Sequence, residues 1–446
     1  MTIQNAELLE KIRQQFESAP YPNMPLELSP QGDANLLYAN NFITPFYLRN
    51  QQVAKSPDLA ILDVGCGTGY KTLILAAANP GAEILGIDLS AKSIQLAQER
   101  LRFHGFAAAQ FQVLSLLDLD QLDRQFDYIN CDEVLYLLPD LEQALKMLRS
   151  KLKPQGILRG NLHSLYQRYH YFRAQELFTA LGLMQGNPQQ PEIEIVLETM
   201  RELSDDVPLK QQTWSAKQAV EDPQDYVLMN YLFHGDQGYT IPDLFAALRD
   251  AELEFICMTN QRSWELARLF QNPQNLPSFW QENLPKLSLE EQLQLFELIA
   301  PIHRLLDFWV GQAHQTPAWK TPASWADPDW ETARVTLHPQ LQTPAIKTAI
   351  TDAIRQQQQF DLSRYFTAAA PHQVRIMLSP YVLAGLLPLW DAPQQFPALL
   401  KRILKIYACD PITLKPTNPQ RASQELRNTL INLEKYLYVL LTQKPK

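Results

Sequence analysis

The chain has 446 residues, 46% apolar and 20% charged, which excludes collagen-like, disordered and disulfide-scaffold classes and is too long for one compact core. Thirty-nine Lys and Arg against 48 Asp and Glu give a formal charge of −9, the wrong sign for a protein that lives on nucleic-acid phosphates. Four scattered cysteines, at 66, 131, 257 and 409, form no CxxC pair and fit a reducing compartment better than a metal site.

In chain order, residues 6–17 read as a short amphipathic helix, followed by APYPNMPLELSP, whose prolines favour extended structure and turns. Residues 1–50 are therefore expected to be a lead-in or lid, with Tyr21 and Tyr38 as candidate lid aromatics. No stretch approaches the ~20 apolar residues of a spanning helix, and MTIQNAELLEKIRQQ lacks a signal-peptide layout, so a cytoplasmic protein without a membrane partner is expected. From Leu59 short apolar strands alternate with helices: LAILDV, helix 70–78, EILGID, helix 91–103, AAQFQVL, FDYINC, helix 140–152 and GILRGNL. This alternation predicts an α/β domain built on a mostly parallel sheet with helices on both faces. Ser90 is placed to cap helix 91–103, and Thr240 with Asp243 makes a capping box before LFAALRDA and the strand EFICM. That unit ends the predicted domain at 51–264, leaving 165–239 as an insertion that can cover a substrate. Ser288 with Glu291 opens a further helix, whose apolar spacing is read through Leu306 and Trp309. Residues 265–446, including a helix over roughly 422–441, are expected to form a mainly α-helical accessory domain.

Glycine usage points to the site. Only 15 glycines occur, and five (Gly65, Gly67, Gly69, Gly81, Gly86) fall within 22 residues. ILDVGCGTGY, residues 61–70, places three glycines at alternate positions between a strand and a helix, so that backbone can lie close to a ligand. A dinucleotide fingerprint wants its third glycine where Tyr70 stands. A triphosphate loop wants a different register, although Lys71 and Thr72 follow Gly69.

DVGCGTG, together with EILGIDLS, FDYINCDEVLYLLPD and LRSKLKPQGIL in that order, resembles class I S-adenosylmethionine-dependent methyltransferases over roughly residues 59–161. The resemblance implies a Rossmann-like doubly wound sheet and S-adenosylmethionine as cofactor. It implies that Asp63 lies near the methionine ammonium, directly or through water, and that Gly65, Cys66, Gly67 and Gly69 pass beside the cofactor. Asp88 would accept both ribose hydroxyls, Leu89 would pack on adenine, and Cys131 would border the methyl end. At the third strand, where relatives carry an Asp, this chain offers Ser115, Leu116 and, further on, Asp118. A valine at 67 is expected to block the site while sparing the fold. The wider chain resembles a bacterial group with a helical accessory region, some distant relatives of which methylate protein lysines.

Methyl transfer needs alignment, and proton removal where the acceptor is neutral. Glu133, Tyr136 and His163 are the candidates for that work, on an acceptor left open between a small molecule and a protein side chain. Residues 146–173 hold seven Lys or Arg and no acid, which permits an anionic acceptor, although helix-end solvation accounts for all but Arg159, Arg168 and Arg173. The alternative to an enzyme is a non-catalytic S-adenosylmethionine-binding regulatory module; a dinucleotide oxidoreductase is a distant third reading.

Overall fold

The computed structural model describes residues 3–54, 59–365, 375–409 and 414–443. Eight strands form the central sheet: β1 (Ala60–Val64), β2 (Glu83–Asp88), β3 (Gln110–Val113), β4 (Phe126–Cys131), β5 (Leu152–Ser164), β6 (Gly238–Tyr239), β7 (Leu253–Met258) and β8 (Leu305–Gln312). Their order is β3-β2-β1-β4-β5-β8-β7, with the short β6 beside β5. β1 through β5 pair in parallel, whereas β8 runs antiparallel between β5 and β7. Central β1 is buried at every position, the pattern of a strand covered on both faces; β3 at the edge is largely exposed and carries two glutamines.

Helices Tyr70–Ala78 and Ala91–Phe103 fall where the periodicity places them. Ser90 Oγ accepts from Ser93 N–H at 3.0 Å, and the Thr240/Asp243 and Ser288/Glu291 capping boxes are both formed, each such cap contributing about 1 kcal/mol. The helix after Ser288 stops at Ile299, however, and Leu306 and Trp309 lie on β8. Pro301 breaks the helical run, and the segment beyond it completes the sheet. The boundary expected at residue 264 therefore falls inside the sheet, which ends at Gln312.

The remaining residues pack helices Pro344–Arg355, Phe396–Ile406 and Pro419–Lys435 against a three-stranded antiparallel sheet of Arg334–Leu337, Gln394–Gln395 and Val439–Thr442. The expected helix over 422–441 ends at Lys435, and its last residues belong to that sheet. The insertion is helical, with five helices from Leu165–Ala180 to Pro223–Leu228 around the buried Phe178, Val196, Met200 and Tyr231.

The lead-in is structural as well as a cover. Tyr38 and Tyr47 are buried in the C-terminal core, so Tyr38 is no lid residue. Ile12 from the first helix joins the main core beneath the sheet's carboxyl edge.

Candidate functional site

The carboxyl ends of β1, β2, β4 and β5 surround a cavity of about 340 Å³. Gly65, Cys66, Gly67, Asp88, Leu89, Ser115, Leu116, Glu133, Tyr136 and His163 all border it. Leu9, Ile12, Phe16, Tyr21, Pro22 and Met24 of the lead-in cover it, so Tyr21 does sit where a lid aromatic was expected.

Gly67, at φ +51°, lies under the lead-in: a Cβ there would meet the Tyr21 carbonyl oxygen at 2.2 Å. Next to it, Thr68 donates from N–H to Tyr21 O at 3.1 Å and from Oγ1 to Pro22 O at 2.7 Å. A valine at 67 therefore displaces backbone of the fold before it obstructs a ligand, contrary to the expectation above. Gly69, at φ +82°, leaves only 2.7 Å between its ideal Cβ and Ala97 Cα, so it serves helix packing and does not border the cavity.

Asp88 is half-buried at the end of β2. Its Oδ2 accepts from Gly67 N–H at 2.9 Å and its Oδ1 from Ser90 N–H at 2.8 Å. A carboxyl group can accept further donors besides these. Burial pushes this carboxyl above its ordinary value, against the backbone hydrogen bonds of Ser90, Gly67 and Leu89 that lower it.

Asp63 and Cys131 are set back from the cavity. Asp63 is fully buried, accepting from Thr72 Oγ1 at 2.6 Å and Asn130 Nδ2 at 2.8 Å, and burial pushes it up to about 6. Both of its oxygens thus brace β1 to β4 and to the following helix. Burial likewise pushes the Cys66 and Cys131 thiols well up, leaving them protonated packing atoms.

Beyond β4 the chain makes an unusual step. Glu133 has φ +61°, a left-handed conformation costly for a side chain with a Cβ, and its N–H is held by Asn161 Oδ1 at 2.8 Å. The neighbouring Asp132 pairs with Lys71 at 2.5 Å and accepts from Asn161 Nδ2. Burial alone would raise the Asp132 carboxyl, but Lys71 and Arg159 outweigh it and hold the group below the usual carboxylate range. Lys71 and Asp132 both border the cavity, so the lysine after the glycine turn has a role that its sequence register did not disclose.

Glu133, Tyr136 and His163 form one network. Tyr136 OH donates to Glu133 Oε2 at 2.6 Å, and its ring stacks on His163 with centroids 3.7 Å apart. Arg304, at the leading end of β8, binds both Glu133 oxygens and donates from Nη1 to His163 Nε2 at 3.0 Å. Arg304 was hidden by reading its segment as helix; the Pro301 stop followed by LLDFWV is the signal that places it. Burial alone would lower its guanidinium, but the Glu133 carboxylate outweighs this and holds it raised.

No Lys or Arg of the basic run 146–173 lines the cavity. Arg159 makes a bidentate pair with Asp307 at 3.0 and 2.7 Å, and Arg168 pairs with Asp236 at 2.8 Å. Arg173 lies over the exposed Tyr169 ring, outside the cavity. Nothing of that composition is left for an anionic acceptor at this site. Among the described residues no group of three or more His, Cys, Asp or Glu is arranged to hold a metal ion, and no helix is long and apolar enough to cross a membrane.

The Asp88 carboxyl group and the apolar Val64, Leu89, Leu114 and Leu116 line the same cavity, a lining that suits a ligand with hydroxyl groups and an apolar ring. The chain belongs to the class I S-adenosylmethionine-dependent methyltransferases, and residues 55–237 match the family model described as a methyltransferase domain. It is an enzyme of that class, a methyltransferase whose cofactor is S-adenosylmethionine. It is 30% identical over 306 residues to the uncharacterized protein syc1184_c of Synechococcus sp., covering 67% of this chain and 70% of that one. A shorter match, 35% over 130 residues, joins it to a ubiquinone biosynthesis O-methyltransferase of Methylococcus capsulatus, covering 28% of this chain and 52% of the relative. Among solved structures, PKMT2 from Rickettsia typhi shares the fold at a TM-score of 0.57 and 17% identity, over 92% of this chain and 76% of that one. The same protein in complex with AdoHcy gives a TM-score of 0.56 at 18% identity, over 91% and 76%.

Proposed function

We propose that Asp88 receives the ribose hydroxyls, that Leu89, Ser115 and Leu116 border the adenine, and that Gly65, Cys66 and Gly67 lie along the body of the cofactor. S-adenosylmethionine, when bound, supplies a methyl group made electrophilic by its sulfonium, transferred by direct displacement. The observation that carries this reading is Asp88: a carboxyl group at the end of β2, fixed by the Gly67 and Ser90 N–H groups, that borders the cavity.

At the opposite wall, Glu133 and Tyr136 orient the acceptor, and His163 takes its proton once the acceptor displaces Arg304 Nη1 from Nε2. Burial holds His163 below its ordinary value, against the Asp236 hydrogen bond, so the imidazole is neutral near pH 7 and able to act as a base. A hydroxyl or an ammonium group, on a small molecule or a protein side chain, is the class of acceptor that needs such a base. The C-terminal three-stranded sheet with its helices acts as an accessory unit, and four free cysteines support a cytoplasmic setting.

Calorimetric titration with S-adenosylhomocysteine tests the cofactor half. Asp88→Ala is expected to weaken binding by about 1.5–3 kcal/mol, roughly 10- to 150-fold, through loss of charge-assisted bonds. Unchanged affinity overturns the ribose assignment.

A further inference from the structure

Asp236, which the sequence did not single out, has a fully buried side chain. Three donors converge on it. Oδ1 meets His163 Nδ1 at 2.6 Å, while Oδ2 accepts from Arg168 Nη2 at 2.8 Å and from Gln175 Nε2 at 2.9 Å. A buried carboxylate is costly unless paired and hydrogen-bonded, and here both conditions hold. Arg168 and Gln175 lie on the first helix of the insertion, and Asp236 follows its last.

The other imidazole nitrogen completes the case. His163 Nε2 lies 3.0 Å from Arg304 Nη1, and a guanidinium only donates. Nε2 is therefore the acceptor, and the ring proton sits on Nδ1, facing Asp236. His163 and Arg304 border the cavity, whereas Asp236 and Arg168 stand behind them.

We infer that Asp236 is a positioning residue that locks His163 into the Nδ1–H tautomer, so that its Nε2 lone pair points to Arg304 at the cavity wall and is released to the acceptor when the guanidinium gives way, and that the insertion exists in part to hold this carboxylate. The role of His163 as base rests on the proposed function above, but the tautomer can be read without any acceptor. Because Arg168 and Gln175 both claim the Oδ2 position, an asparagine at 236 keeps its amide oxygen there and turns its NH2 toward His163. Nδ1 must then become the acceptor, and the ring proton moves to Nε2, where it opposes Arg304.

Long-range ¹H–¹⁵N correlation on the full chain with labelled histidine reads this directly, with His163→Gln identifying the resonance. The expected result is an Nδ1–H tautomer in the parent, an Nε2–H tautomer in Asp236→Asn, and recovery of the parental form in Asp236→Glu. Affinity for S-adenosylhomocysteine should stay within about twofold, because Asp236 is remote from the ribose carboxylate. An unchanged tautomer in Asp236→Asn overturns the inference. So does loss of S-adenosylhomocysteine affinity alongside the tautomer change, which would mark Asp236 as a structural residue only.

Label transfer from [methyl-³H]S-adenosylmethionine to an extract of the source cells separates the two readings. Both Asp236→Asn and His163→Gln should slow it by roughly 10²-fold or more. If the tautomer responds as expected while His163→Gln transfers label at the parental rate, the base assignment fails and the positioning of the ring stands.

Discussion

Glu133 shows how much a single backbone angle contributes to this site. Its left-handed φ turns the chain sharply after β4 and delivers a carboxylate to Tyr136 and Arg304, and Asn161 from β5 stabilises the turn. Nothing in CDEVLY discloses that angle, because the hydrogen bond that compensates it comes from 28 residues away. Gly67 teaches the converse: its need for a missing Cβ was legible, but the object it approaches was not. Gly67→Val is expected to detach the lead-in from the turn, lowering the melting temperature by several degrees and exposing the Thr68 amide, which donates to Tyr21 O. Hydrogen exchange at Thr68 checks this; parental protection in the variant would mean that the Tyr21 carbonyl readily gives way.

Helix Ile43–Asn50 has two duties that no periodicity announces. One side carries Tyr47, whose hydroxyl donates to Glu434 Oε1 at 2.9 Å and accepts from Leu441 N–H at 3.1 Å, tying down the C-terminal unit. Its end carries Arg49, which reaches the carbonyls of Gly156 at 2.9 Å and Gln312 at 2.5 Å, linking β5 to β8. Gly311 is glycine because the guanidinium lies on it: a Cβ there would be 2.3 Å from Arg49 Cζ. Arg49→Met should cost about 3 kcal/mol, since buried carbonyls lose a charged donor. Gly311→Ala should cost a similar amount, and the double variant less than the sum, because both changes displace the same group. Urea unfolding of the three variants measures the coupling; strict additivity would show that the contact carries no energy. The helices with capping residues were legible element by element, because a cap acts within one turn of its own chain. Strand β8 was not, because its apolar residues also satisfied a helical spacing until Pro301 and the partners β5 and β7 decided between the two.

At the scale of the whole molecule, the sheet is braced from within by a carboxyl group that burial pushes up to about 6. The folded state keeps the Asp63 proton to about pH 6, whereas the unfolded chain releases it near 3.9. Between those values the folded state binds more protons, so stability falls as pH rises from about 4 to 6, and the loss is complete above that window. The difference is about 3 kcal/mol. Asp63→Asn keeps partners for Thr72 and Asn130 but carries no charge, so it should remove this slope and be more stable relative to the parent at pH 7 than at pH 4. Asp225, also pushed up to about 6 by burial, titrates in both proteins, so the difference between their urea-unfolding curves isolates Asp63. Parallel curves would overturn the assignment.

By itself the sequence determined the class of fold, the cofactor and the part of the cavity wall at the strand ends, because strand–helix alternation and the glycine turn are local patterns set by residues close together in the chain. Only the tertiary structure decided that Asp63 is bound by Thr72 and Asn130, that Arg304 and Asp236 meet His163, and that the lead-in belongs to two cores. Those contacts join segments tens to hundreds of residues apart, and side chains that compete for the same partners are assigned only when the packed chain brings them within hydrogen-bonding distance.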